Sequence, residues 1–574
     1  MSDADLDLLR SRLAELSPRG RTALLPALHL AQRLKGWLSE AVAAEVGRAL
    51  RVPLAELYGV IDFYEMFSRK PTGRTVVRVC TGPICGLAGS EKLLLALCRF
   101  LRTEPDAITA DGAYTVTAAP CLGLCDHAPA LLVGDCARGC VAPEQAAAIC
   151  AVSGETPRSV VGGDLRKLTS NCGRGDPTSF LAYRSVGGYG ALAKALTVSP
   201  QDVRAEITAA GLVGRGGAAF PTGAKWESAA QAPGQPKYIV CNADESEPGT
   251  FKDRILMEEN PHGTIEGMII AAHAVGANRG YVYVRGEYPY AFKVMGEALD
   301  EARRAGLLGG NILGTKLNFD IELRLGAGAY ICGEETALLE SIEGKRGLPR
   351  IKPPFPTTHG LFGRPTVINN VETLCNVPLI IQDGAAAYRK LGTERSPGPK
   401  LFCVSGQIEK PGLYEVAFGV TLRHLVFNLA GGLKRGRRLQ AVLVGGAAGG
   451  FATEKDLDVS LSFESLAALG LPLGSGAVMV FDDSADMRDV LRRIGSFFAD
   501  ESCGKCYPCQ LGTRRQAEIL DRVATGKTIT GDRKRLNDVG ETMIDASLCG
   551  LGQTAPAPVL SAMKLWPEMF GGSR

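Results

Sequence analysis

Gly214-Arg215-Gly216-Gly217-Ala218-Ala219-Phe220-Pro221-Thr222-Gly223-Ala224-Lys225-Trp226 is the stretch on which the fold turns. From Gly214 to Ala219 it fits the G-x-G-x-x-A pattern of a Rossmann fold. That pattern requires a strand before it and a helix opening on it. The preceding SPQDVRAEITAAGL instead reads as a helix. Ser199 caps it, Pro200 sits in its first turn, Val203 and Ile207 share a face, and Gly211 ends it. Pro221 follows the glycines, so a Rossmann fold is excluded. What remains is a glycine-rich loop able to approach a phosphate or a ring, with Lys225 as a point charge for phosphate.

Other segments converge on the same kind of site. KYIVC reads as a buried strand ending at Asn242-Ala243-Asp244-Glu245-Ser246-Glu247, and Lys252 and Asp253 follow shortly after. Carboxylates this dense are ordinarily a solvated loop, but α/β proteins bind ligands at the C-terminal ends of strands. A second strand, FDIELRL, runs into Gly326-Ala327-Gly328-Ala329-Tyr330-Ile331-Cys332-Gly333-Glu334-Glu335-Thr336 and then a helix, whose free N–H groups suit a phosphate. Lys352-Pro353-Pro354-Phe355 and Asn369-Asn370-Val371-Glu372-Thr373 add a cation, an aromatic surface and amides.

Near the C-terminus, Cys503, Cys506 and Cys509 recur at two-residue gaps, and Cys549 follows at a distance. Three cysteines in one tight turn plus a remote fourth hold a 4Fe-4S cube. Zinc is the competing metal, but it usually takes two separate two-cysteine hairpins or a Cys/His mixture, and no histidine lies in or between these segments. A second set lies in the first quarter. TVVRVC is a strand ending at Cys80, a loop carries Cys85, and the helix SEKLLLALCRFL follows. After a short strand pair come Cys121 and Cys125. Cys-x4-Cys with a later Cys-x3-Cys suits a 2Fe-2S centre, with zinc as runner-up and a redox disulfide behind it. Cys136 and Cys140 repeat the second spacing; Pro120 and Gly123 favour Cys121 and Cys125 as the ligands.

At 574 residues the chain exceeds one core, and about three to five domains are expected. A hydrophobic content of 45%, a charged content of 22% and a net charge of +3 point to neither nucleic acid nor an anionic membrane. MSDADLDLLR has no signal-peptide pattern, and GTIEGMIIAAHAVG is too short to span a bilayer. Seventeen cysteines without an export signal imply reduced thiols and metal work in the cytoplasm.

The motifs GRGG-A-FPTG-KW, NADESEPG-FKDR, GAGAYICGEETAL, KPPFP, INNVETL and ESCGKC-PC together closely resemble the NADH-binding flavoprotein subunit of respiratory complex I and its relatives. The first 150 residues resemble the small thioredoxin-like 2Fe-2S subunit of that assembly, fused in front. Such fusions occur in the NAD-linked diaphorase subunits of soluble molybdenum- or tungsten-dependent formate dehydrogenases and of NAD-reducing hydrogenases. The resemblance implies FMN contacts from Gly216, Lys225, Asn242, Asp244, Tyr330, Gly333, Glu334, Asn369, Asn370 and Thr373, with Gly214, Gly217 and Glu245 as further cofactor-binding positions. NAD(H) would meet Phe220, Glu247, Glu335, Lys352 and Phe355. Glu335, with Glu247 in support, would accept from the ribose hydroxyls and repel the extra phosphate of NADPH. Two departures stand out: Ala219 replaces the family's usual glycine, and Ser228 stands where many relatives carry a second aromatic.

The expected fold is multidomain α/β: N-terminal helices (1–72), a thioredoxin-like 2Fe-2S ferredoxin domain (73–152), a connector (153–195), a complex I-type FMN-binding α/β domain (196–395), a β-grasp module (396–485) and a C-terminal helical bundle with the 4Fe-4S cluster (486–574). A nicotinamide exchanges a hydride, an iron–sulfur cluster one electron, and a flavin can do both, so FMN stands between them. No side chain is expected to act as acid or base. The expected enzyme is an NAD(H)-dependent flavin/iron–sulfur oxidoreductase subunit serving a large catalytic subunit with further clusters. Formate dehydrogenase is the first-choice partner, then hydrogenase, then complex I. A free-standing NADH oxidase and a non-catalytic scaffold are the readings from other classes.

Overall fold

The computed structural model describes residues 3–151 and 156–571; residues 152–155, where the ferredoxin domain is expected to pass into the connector, lie outside them. Three sheets organise the chain. The central one holds four parallel strands in the order Asp320–Leu325, Arg279–Val284, Tyr238–Ala243 and Thr366–Asn370. Tyr238–Ala243 is a near-continuous apolar run, as a strand covered on both faces must be. The helix Pro261–Val275, buried along almost its whole length, packs against this sheet. Because the strands are parallel, the segments that follow Ala243, Leu325 and Asn370 all emerge at one edge.

The helix Pro200–Ala210 forms as expected, with Ser199 accepting from the Asp202 amide and Gly211 closing it at φ 69°. A further helix, Thr222–Gln231, begins directly after Pro221, so the glycine-rich loop joins two helices with no strand before it. The loop is pinched by a bridge between Val213 and Pro221.

Around the first cysteine set, strand Thr75–Cys80 pairs in parallel with Tyr114–Ala119 and antiparallel with the hairpin Leu131–Val133/Cys136–Arg138. Two local readings are corrected. One strand, not a pair, precedes Cys121, and the hairpin follows Cys125. Cys85 lies in a short helix, Pro83–Leu87, because Pro83 sets the φ of a first helical turn.

The third sheet has six strands, the last being Val161–Gly162 from the connector. Glu415 fixes that connector by accepting from the amides of Lys167, Leu168 and Thr169 and from the Thr169 hydroxyl. Glu372, fully buried, fastens this sheet to the central domain. It accepts from Lys400 Nζ at 2.7 Å and the Leu401 amide at 2.9 Å, and Lys252 Nζ lies 3.3 Å away. The C-terminal region is helical, with Met487–Asp500 packed along Tyr507–Ala524. The N-terminal helices grip the segment after Leu325: the Glu65 and Met66 amides donate to the carbonyls of Gly328 and Ala327, and His29 Nε2 lies 2.9 Å from the Gly326 carbonyl.

Candidate functional site

A cavity of about 390 Å³ opens at the C-terminal edge of the central sheet. Of the sequence-predicted residues, Gly216, Gly217, Asn242, Asp244, Glu245, Glu247, Tyr330, Gly333, Glu334 and Asn370 line it. Gly217 has φ 125°, and a Cβ there would meet nothing closer than 4.0 Å, so the backbone itself faces open space. Asn242 donates to the Gly333 carbonyl at 2.8 Å, tying two strand-end loops together. Glu334 caps the helix Glu335–Ile342 by accepting from the Thr336 and Ala337 amides. Glu245 accepts from the Asp253 and Arg254 amides at the start of helix Lys252–Glu259. Lys252, fully buried on the cavity floor, bonds Asp253 at 2.6 Å and the Asn370 side chain at 3.1 Å.

Glu247 accepts from the Tyr330 hydroxyl at 2.5 Å and the Ala448 amide at 2.7 Å, and burial lifts its carboxyl to about 7. Two cavity atoms, Asp244 Oδ2 and Ser475 Oγ, are buried without a hydrogen-bond partner in the protein. Burial also pushes the Asp244 carboxyl well up. Orphaned polar atoms in the lining, beside bare glycine backbone, are what a ring system with polar edges would satisfy. The residues therefore fit a flavin.

The remaining predicted residues form two outer layers. Gly214, Lys225, Asn369 and Thr373 stand behind the lining. The Gly214 amide donates to the Phe220 carbonyl, Lys225 Nζ to the Ile368 carbonyl, Trp226 to Asn369, and the Arg215 amide to Thr373. Phe220 and Phe355 are more than half exposed, offering rings to a ligand arriving from solvent. Glu335 lies between Lys352 at 3.0 Å and Lys225 at 3.5 Å. Although burial opposes it, the two cations hold the Glu335 carboxyl below its ordinary range. Ser228 donates to Thr357. Sequence reasoning missed Gly445, Ala448, Pro472, Gly474 and Ser475, by which the six-stranded sheet closes the far wall. The strand AVLV running into Gly445-Gly446 was the available signal.

The thiols of the first cysteine set lie against one another in the order Cys85, Cys80, Cys121, Cys125. All four are buried, whereas Cys136 is partly exposed and Cys140 exposed, on the far side of the hairpin turn. Contact with Cys121 and burial push the Cys125 thiol well up. Cys503, Cys506, Cys509 and Cys549 line a second small cavity. Cys506 and Cys549 stand immediately before the helices Tyr507–Ala524 and Gly550–Thr554, and burial lifts Cys509 to about 12 and Cys549 to about 11. Ile331 and Leu551 belong to the walls of both this cavity and the larger one, so one layer of side chains separates them.

Known proteins share this arrangement. Residues 207–379 match the Nuo51 FMN-binding domain of the complex I 51K family, residues 10–152 the thioredoxin-like [2Fe-2S] ferredoxin family, and residues 489–572 the NADH-ubiquinone oxidoreductase-F iron–sulfur binding region. The NADP-reducing hydrogenase protein HndC of Solidesulfovibrio fructosivorans is 49% identical over 71% of this chain and 83% of its own length. The chain belongs to the complex I 51K flavoprotein family. An F-type component of the NADH-quinone oxidoreductase of Rhizobium meliloti is 50% identical over 68% of this chain and 92% of its own. The crystal structure of an air-oxidized NAD+-reducing [NiFe]-hydrogenase superposes with a TM-score of 0.85 at 35% identity, covering 96% of this chain and 94% of that one. Members of this family are NAD(H)-dependent flavin/iron–sulfur oxidoreductase subunits, so the chain carries FMN-binding, 2Fe-2S and 4Fe-4S domains and uses NAD(H) as substrate.

Ala219 has φ 52°, in the left-handed region where a Cβ costs about 1–2 kcal/mol. A glycine there would remove this strain, and its greater freedom when the loop opens would return about half of the gain. Ala219→Gly is therefore expected to stabilise the closed loop by about 0.5–1 kcal/mol, roughly two- to fivefold. Hydrogen exchange at the Gly214 amide, which bonds the Phe220 carbonyl, should slow by that factor. Faster exchange would contradict it.

Proposed function

We propose that this chain is the NAD(H)-linked diaphorase subunit of a soluble, NAD-reducing hydrogenase-type complex. The observation that carries this reading is the likeness to an NAD+-reducing [NiFe]-hydrogenase chain along 96% of the sequence, ferredoxin portion included. It favours a hydrogenase partner over the formate dehydrogenase expected first. An input module of an NADH-quinone oxidoreductase is the second reading, supported by the relatives of that name. Among the described residues no helix is long and apolar enough to cross a membrane. Cytoplasmic residence is part of the proposal, and so is the division into the six segments given above.

We assign the roles as follows. Cys80, Cys85, Cys121 and Cys125 would hold the 2Fe-2S centre, and Cys503, Cys506, Cys509 and Cys549 the 4Fe-4S centre. Gly214, Gly216, Gly217, Lys225, Asn242, Asp244, Glu245, Tyr330, Gly333, Glu334, Asn369, Asn370 and Thr373 would bind and back FMN. When bound, FMN supplies the exchange between hydride and single-electron chemistry. Glu247, held by Tyr330 and Ala448, would position the nicotinamide. The exposed rings of Phe220 and Phe355, with Lys352 and Glu335, would take the adenosine end. Ile331 and Leu551 would keep water out of the gap between the cavity and the four-iron cysteines.

The test is the intact complex, purified anaerobically and assayed with NAD+ and, separately, hydrogen, formate and quinone. Hydrogen-dependent NAD+ reduction is expected, and the isolated chain should hold six irons and six labile sulfides. Formate-only or quinone-only turnover would move the assignment to those partners.

Glu335 gives a second expectation. Its carboxylate would disfavour the ribose phosphate of NADPH, while Lys225 and Lys352 already compensate part of its charge. Glu335→Gln frees both lysines for a phosphate. NADPH efficiency relative to NADH should rise at least about tenfold, roughly 1.4 kcal/mol. An unchanged ratio in flavin-loaded protein would reduce Glu335 to a helix-start ion pair.

A further inference from the structure

The ferredoxin loop carrying Cys121 and Cys125 is held by the flavin domain as much as by its own. The Gly249 amide donates to Cys125 Sγ at 3.3 Å. Arg254 Nε donates to the Gly123 carbonyl at 3.2 Å, and its Nη2 to Asp126 at 3.1 Å. A Cβ on Gly123 would fall 2.1 Å from the Tyr288 hydroxyl, so this glycine exists to admit that ring. Arg285 makes the most direct link. Its Nη2 donates to the Cys121 carbonyl at 2.7 Å and its Nη1 to the Glu245 carbonyl at 2.8 Å. Glu287 accepts from Nε at 3.1 Å and from Nη2 at 2.8 Å. The guanidinium, 2% exposed, thus bridges a cysteine of the cluster loop and a wall residue of the flavin cavity.

An arginine keeps its charge at any working pH, and burial leaves that charge weakly screened. Iron–sulfur potentials respond to net charge and to hydrogen bonds on the sulfurs. An electron added to a cluster adds negative charge, which a fixed cation beside a ligand residue favours and an anion disfavours. We propose that Arg285, with Glu287 as its counter-charge, sets the reduction potential of the two-iron centre from within the flavin domain. The electron affinity of this centre is then fixed by the domain that feeds it. The proposal rests on the assignment of a 2Fe-2S centre to Cys80, Cys85, Cys121 and Cys125.

The test is an EPR-monitored redox titration of the full chain, with the four-iron centre as internal reference. Arg285→Gln should move the two-iron midpoint to a more negative potential, with the four-iron midpoint moving less and FMN content unchanged. Glu287→Gln, which leaves the guanidinium less compensated, should move it the opposite way. If Arg285→Gln loses the two-iron signal, the direction of the Glu287→Gln shift decides. An unmoved two-iron midpoint, shifts of the same sign in both variants, or equal shifts at both clusters would overturn the proposal alone. Absence of any two-iron signal from the wild-type chain would instead overturn the cluster assignment, and the proposal with it.

Discussion

One loop, between strand Tyr238–Ala243 and helix Lys252–Glu259, has to satisfy three neighbours at once, and the rest of the site depends on it. Asp244 faces the cavity, Glu247 is clamped between Tyr330 and Ala448, and Gly249 reaches Cys125. Gly249 sits at φ 97° with Ala477 and Met479 only 3.2 Å from where a Cβ would be, so no other residue fits without strain or displacement. Carboxylates concentrate here because each does separate work. Glu245 and Asp253 serve the following helix and its buried lysine, and Glu247 joins two domains.

This arrangement explains why the domains cannot be treated as beads on a string. Buried charge is costly unless paired, and it is concentrated at the joints: Glu372 with Lys400 and Lys252 at the β-sheet module, and Arg254 with Asp126 and Glu258 at the ferredoxin loop. These pairs fix relative placement more than they add stability, since apolar packing of similar volume would often be as stable. Placement is what electron transfer between fixed sites demands. The pocket of Cys503, Cys506, Cys509 and Cys549 shares Ile331 and Leu551 with the larger cavity, and Glu501, just ahead of Cys503, accepts from the Tyr330 amide at 2.8 Å.

Much of this was legible in the sequence where chemistry dictates spacing. The cysteine triplet, the glycine-rich loop without a preceding strand and the strand-end carboxylates each carry their reason in local order. The choice of Cys121 and Cys125 over Cys136 and Cys140 was harder in the sequence, because the spacing is identical; in the fold the first pair lies buried with Cys121 against Cys80, whereas Cys136 is partly exposed and Cys140 exposed. The wall contributed by Gly445, Ala448, Gly474 and Ser475 was not legible, since it forms by docking of a distant sheet rather than by any local pattern. The strain at Ala219 was likewise hidden, because a φ value belongs to the folded loop. Arg285 and Arg254 are indistinguishable from ordinary surface charges until the ferredoxin loop is placed against them.

If the domains are joined for electron transfer, the flavin cavity discharges into the four-iron centre across the single layer formed by Ile331 and Leu551. Freeze-quench EPR of the isolated, fully loaded chain mixed with NADH follows that step as it happens. The four-iron signal is predicted to rise in the same kinetic phase as flavin reduction. A four-iron signal that appears only long after the flavin is reduced would contradict direct transfer across this layer.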